Sequence, residues 1–160
     1  MVKESFIEFE VNNLNRFEML RKVFTELKHD KELQLLSASD DEAAKNPFRE
    51  SSEWMVFFDD VALSNFWWPT DKEYADWLAS WFATPVASRL SNPSLKRPPL
   101  FSAMIDGLKN GEYELIACEL LPNGRGRITF LPLAFPYGGT TPLKTLIEAF
   151  GCKITREENT

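Results

Sequence analysis

Two apolar runs of strand length, residues 112–121 and 127–134, are separated only by Pro122-Asn123-Gly124-Arg125-Gly126. An Asn-Gly pair takes up the positive backbone angles of a tight turn at little cost, so the two runs are predicted to fold back on each other as a hairpin. A hairpin makes the sheet to which it belongs mostly antiparallel, and every other element must be placed around that pair.

Residues 4–11 alternate, with Ile7, Phe9 and Val11 on one side and Phe6, Glu8 and Glu10 on the other, which predicts a strand with one covered face. Asn12 or Asn13 then caps a helix whose Leu14, Phe17, Leu20, Phe24 and Leu27 recur at helical spacing. The helix is expected to end near Lys31, with a short strand over 33–36. Residues 37–53 are polar, acidic and broken by Asn46-Pro47, as a surface loop would be. The continuous apolar run 54–58, closed by Asp59-Asp60, predicts a buried strand. Thr70 and Glu73 have the spacing of a capping box, and Tyr74, Trp77, Leu78, Trp81 and Phe82 follow as the inward face of a helix ended by Pro85. Leu100, Phe101, Met104, Ile105 and Leu108 form the next helix, stopped by Gly111. Thr141 and Pro142 start another, which Gly151 ends; 152–155 returns as a last strand and 156–160 is a frayed tail. Strands scattered among helices in this order predict an α+β fold, a single-layer, mostly antiparallel sheet packed against helices, in one globular domain spanning 1–160.

With 160 residues, 44% of them hydrophobic, the chain can bury a core without a disulfide or metal. Its apolar runs fall far short of the ~20 residues that cross a bilayer, and the opening Met-Val-Lys-Glu-Ser-Phe does not read as a secretory leader, so no membrane contact and a cytoplasmic location are expected. Cys118 and Cys152 sit in separate apolar segments with no Cys-x-x-Cys spacing, which predicts buried reduced thiols. The net charge of −6 comes from the first 60 residues, with 8 basic against 14 acidic side chains. An acidic body repels phosphate backbones, which argues against nucleic acid and favours a basic partner.

No motif names a reaction. His29, the sole histidine, lies at the expected end of the first helix, where it complements the dipole, and there is no nucleophile-elbow pattern. One histidine and two scattered cysteines do not make a transition-metal site, and no cofactor is called for. Asp59 and Asp60 at a strand end could hold magnesium or act as acid and base, although an Asp pair also simply closes a strand. Tyr137 with the Gly138-Gly139 turn could offer backbone N–H groups to an anion at a helix start, but matches no phosphate-binding fingerprint.

The remaining feature is aromatic. Four of five tryptophans fall between Trp67 and Trp81, and the run Phe66-Trp67-Trp68-Pro69 precedes its helix on a loop. Adjacent residues point to different sides, so at least one of these rings is expected to face solvent as an anchor. Small, acidic, aromatic-rich domains without catalytic signatures occur among toxin-immunity proteins and phage-encoded inhibitors, an analogy of composition. The expectation is a non-enzymatic binding protein that neutralises a basic partner, with Asp40, Asp41 and Glu42 steering encounter and Phe66, Trp67 and Trp68 anchoring it. The alternatives are a small metal-dependent enzyme or ligand-binding domain built on Asp59, Asp60, Tyr137, Gly138 and Gly139, and a subunit that self-associates through its aromatic surface.

Overall fold

The computed structural model describes residues 3–37, 47–134 and 139–158. Strand β1 (Ser5–Glu10) leads into helix α1 (Leu14–Ser37), followed by α2 (Ser51–Trp54), a 3-10 turn at Met55–Phe57, and α3 (Asp60–Leu63). Helix α4 (Asp71–Ala83) and 3-10 turns at Val86–Ser88 and Pro93–Leu95 precede α5 (Phe101–Asn110), and the chain closes with β2 (Tyr113–Leu120), β3 (Arg125–Pro132), α6 (Thr141–Ala149) and β4 (Lys153–Glu158). The strands form one open antiparallel sheet in the order β2-β3-β1-β4, with helices packed against it: the α+β architecture that the hairpin and the alternation predict.

The hairpin is built as its sequence requires. Leu121 N–H donates to Arg125 O at 2.7 Å, and Gly124 alone in the turn takes a positive φ, +82°, so the connection is a three-residue loop closed by a left-handed glycine. Gly126 has another task. A Cβ there would stand 2.2 Å from the Phe9 ring, so the missing side chain is what lets that fully buried ring lie flat on β3.

One face of the sheet joins Phe17, Leu20, Phe24 and Leu27 of α1 and Leu143, Leu146 and Ile147 of α6 in a continuous core. The other face carries a row of alternating charge, Glu119, Arg127, Glu8 and Arg156, one from each strand. Arg127 binds Glu8, and its guanidinium and that of Arg156 lie 4.5 and 5.1 Å from the Phe6 ring centroid, so cations cover the aromatic ring on this face.

Several expectations are corrected. Residues 54–58 are not a strand: Glu50 and Glu53 close a capping box, and Trp54 and Phe58 are buried four residues apart while Val56 between them is 80% exposed, a helical rather than an alternating pattern. Helix α1 does not stop at Lys31. Neither glycine nor proline interrupts it, it continues through 33–36 to Ser37, and His29 therefore lies exposed within the helix instead of at its dipole end. Leu14 faces solvent, Thr140 rather than Thr141 stands at the cap of α6, and β4 runs on to Glu158, into the stretch expected to fray. Its extension is held by pairing with β1 and by Lys144, which binds Glu157. Of the expected 37–53 loop, residues 38–46 lie outside the described residues, and a helix begins at Ser51. Cys118 and Cys152 are free and buried, and burial pushes the thiols up to about 12 and about 11.

Lys31 is an unexpected member of the interior. Its Nζ donates to Leu108 O at 2.8 Å and Gly111 O at 3.0 Å, satisfying carbonyls where α5 ends, and lies 4.7 Å from the Tyr113 ring centroid. Burial lowers its pKa from 10.5 to about 8. Between those values the unfolded chain keeps the proton that the folded protein has released, so the Lys31 contribution to stability rises with pH. Relative to Lys31→Met, the wild-type protein is expected to gain about 2 kcal/mol between pH 7.5 and 9.5 in paired urea denaturations. A constant difference across that range would show that the ammonium titrates normally.

Candidate functional site

Trp67 N–H donates to Pro99 O at 2.9 Å, and Trp67 pairs with Leu100 in an isolated parallel bridge. The chain between them therefore leaves the body and returns at one place, carrying α4 and two 3-10 turns as a lobe. Thr70 starts α4 as its spacing predicts: its hydroxyl accepts from Glu73 N–H at 3.2 Å and its own N–H donates to the Glu73 carboxylate at 3.1 Å. The Thr70 backbone N–H and then its side chain hold the Glu73 carboxyl below the usual range. Thr70→Ala should cost α4 about 1 kcal/mol, read as roughly fivefold faster amide exchange confined to this helix, because few contacts tie it to the core. Unchanged exchange would mean that α4 is held from elsewhere.

The inward face expected of α4 does not enter the core. Tyr74 and Phe82 are exposed, Trp77, Leu78 and Trp81 are half-buried, and no residue of the helix is fully covered. Its rings pack instead along one another and on Trp67: Tyr74 and Trp77 stack with centroids 6.1 Å apart, Trp77 and Trp81 lie 5.3 Å apart, and Trp67 meets Trp77 edge-on at 5.8 Å. The helix fails to reach the core because the Pro93–Leu95 turn lies under it, with the Trp77 indole N–H donating to Leu95 O at 2.9 Å.

Between this aromatic row and residues 95–100 runs an open groove of about 420 Å³, floored by Trp67, Tyr74, Trp77 and Trp81 and walled by Pro98, Pro99 and Leu90. Three cations, Arg89, Lys96 and Arg97, line it and no carboxylate does. Arg89 is fixed by two bonds from Nε, to Trp81 O at 2.9 Å and Thr84 O at 3.0 Å, which set its guanidinium over Trp81. Arg97 lies over Trp67. A second hollow of about 380 Å³ opens on the other side of Trp67, between Trp68, Pro69, Phe101 and the start of α2.

The three expected anchors separate. Phe66 is buried in the core, edge-on to Phe58 and Phe101, with 4% of its surface exposed. Trp67 is the shared wall of both hollows. Trp68 is 49% exposed although it stacks on Phe101 at 5.6 Å and donates its indole N–H to Leu63 O at 2.9 Å: one ring face is fixed and the other is open. Asp40, Asp41, Glu42, Tyr137 and Gly138 lie outside the described residues.

Asp59 and Asp60 are not brought to Gly139. Asp59 Oδ1 accepts from Ala62 N–H at 2.8 Å as the cap of α3, and Oδ2 accepts from Arg16 at 2.6 Å. Arg16 also donates to Ala149 O and Phe150 O at the C-terminal end of α6, whereas Gly139, with φ +81°, precedes the other end, roughly 13 Å away along the helix. Asp60 is exposed in the first turn of α3. Among the described residues no three His, Cys, Asp or Glu side chains gather to hold a metal, and no helix is long and apolar enough to cross a membrane.

The cations of the groove are the residues that the sequence reading missed. Their signal is present in Arg89 and in Lys96-Arg97-Pro98-Pro99, basic side chains followed by a proline pair in the connection after an aromatic helix. Compared with protein-family models, curated proteins and solved structures, the chain matches none.

Proposed function

We propose that this chain is a non-enzymatic binding domain that takes up a partner in the groove between α4 and residues 95–100. The observation that carries the reading is the α4 stripe: Tyr74, Trp77, Trp81 and Phe82 form one apolar helix face, and the fold leaves these rings half-buried or exposed while burying other aromatics completely. Phe82 at 71% and Leu90 at 85% exposure extend the apolar surface past the end of the helix. Large exposed aromatic surface beside fixed arginines has the composition of a binding hot spot. A groove of this volume also lies within the range of ligand sites. The catalytic alternative has less support, since both oxygens of Asp59 are already engaged in holding the fold together.

The sign of the partner's contact region differs from the one suggested by net charge. An overall −6 favours a basic partner at long range, but the groove itself presents three cations, so what enters it should be neutral or acidic. Selection of a displayed random-dodecapeptide library on the immobilised protein tests the reading. Sequences should be enriched that bind the wild type and a Glu10→Ala control but not Trp81→Ala. Absence of enrichment, together with concentration-dependent sedimentation that Leu90→Asp abolishes, would overturn it in favour of a second copy of the chain on this face.

A further inference from the structure

We infer that the occupant of the groove is an extended, proline-containing peptide segment in the polyproline II conformation that carries an acidic side chain. This rests on the reading of the groove as a docking site and goes further by naming what docks.

The walls offer no continuous row of backbone donors. Pro98 and Pro99 have no N–H, the Trp67 N–H is taken by Pro99 O, and the backbone of α4 is bonded within its helix. A strand added to an edge needs a row of free backbone donors and acceptors, so β-augmentation is unavailable here. A polyproline II segment needs no such row, because it has no internal hydrogen bonds and docks through ring contacts in aromatic-lined grooves. The dimensions agree. Tyr74 and Trp81 are seven residues apart, ~10 Å along the helix, close to the ~9 Å of one polyproline turn. The carbonyls of such a segment remain unpaired, and the Trp67 and Trp81 rings that line the groove carry indole N–H groups with no hydrogen-bond partner among the described residues.

Charge selects the side chain. Arg89 is held by Nε, which leaves its terminal nitrogens without a bond among the described residues, and Lys96 and Arg97, the latter held by Nη1 on Ser94 O and Lys96 O, complete a cationic wall. Just across Trp77, the neighbouring hollow is lined by Glu73 and Asp76. The positive stretch is therefore short, suited to one or two carboxylates, while a nucleic-acid strand with a phosphate at every nucleotide would run onto those acids and face a body of net charge −6.

Calorimetric titration with a synthetic dodecapeptide repeating Pro-Pro-Leu-Glu, with its Gln and Lys counterparts, and with oligothymidylate tests the inference. The Glu peptide should bind, more weakly as salt is raised; the Gln form should bind about tenfold more weakly and the Lys form more weakly still. Lys96→Gln with Arg97→Gln, both exposed and so tolerated by the fold, should erase the difference between Glu and Gln peptides, and Trp81→Ala should abolish binding. Equal binding of all three peptides would overturn the acidic assignment and keep the docking site. Failure of all three while library-selected peptides still bind would overturn the polyproline assignment. Failure of both would overturn the docking site itself, and preferential binding of oligothymidylate would replace the peptide with a nucleic acid.

Discussion

Trp54→Ala is expected to lower folding stability by about 3–5 kcal/mol, the range for emptying a buried aromatic site. Trp54 is 0% exposed at the end of α2, its ring lies 5.7 Å from those of Phe48 and Phe57, and the Arg49 guanidinium covers it at 5.1 Å. Removing it leaves a cavity between these three side chains, in a fold whose total stability is of the order of 5–15 kcal/mol. The indole N–H is buried without a partner among the described residues, so Trp54→Phe removes an uncompensated donor along with part of the ring. That gain offsets some of the lost volume, and the Phe variant should lose only about 1–2 kcal/mol. Urea denaturation of the two variants checks both values, and equal losses would mean that the N–H is satisfied. Trp68→Ala provides the contrast: its ring is half in solvent, and its loss should be about 1 kcal/mol.

The difference between these two tryptophans explains what could be read from the sequence. Elements defined by local chemistry were legible: the Asn-Gly hairpin, the Thr70 and Glu73 capping box, the alternation of β1 and the glycine stop of α6 each depend on a few neighbouring residues. Residues 54–58 were misread because a short apolar run fits a strand or a buried helical turn equally well, and the Glu50 and Glu53 capping box just upstream starts a helix there. The end of α1 was misplaced for a related reason. Lys31 looks like a last-turn cation, yet the carbonyls it serves, Leu108 O and Gly111 O, lie at the end of α5, 77 and 80 positions further on.

The site was legible in part. A solvent-facing ring in the Phe66-Trp67-Trp68 run follows from the fact that adjacent side chains diverge, and Trp68 has that position. Periodicity says that the α4 stripe faces something apolar, but not whether that surface belongs to the same chain. Here the 3-10 turn at Pro93–Leu95 stands under the helix and keeps it off the core, a tertiary placement that no local pattern encodes. The cationic wall depends on the same return of the chain, which brings Arg89 and Arg97 over rings eight and thirty positions earlier.

The second large effect falls on Arg16, and it separates a structural from a catalytic role for Asp59. Arg16 binds Asp59 Oδ2 at 2.6 Å, Phe150 O and Ala149 O each at 3.1 Å, and has only 18% of its side chain exposed. One guanidinium thus ties α1 to the cap of α3 and to the carbonyls at the end of α6, where Asn65 Nδ2 also donates to Ala149 O at 3.3 Å. Arg16→Ala strips the partly buried Asp59 carboxylate of its cation, leaving it only the Ala62 N–H, and takes a donor from both Ala149 O and Phe150 O. Complete burial would make this a loss of 3–5 kcal/mol; with a third of Asp59 open to solvent, about 2–3 kcal/mol is expected. Arg16→Lys should recover little, because a single ammonium cannot reproduce the planar fork that reaches three acceptors. Adding Asp59→Asn to Arg16→Ala should restore part of the loss by removing the stranded charge, so the two substitutions should be non-additive by about 1 kcal/mol. Additive losses in a double-mutant cycle would show that Asp59 does not depend on Arg16, and would return that carboxylate to the candidates for chemistry.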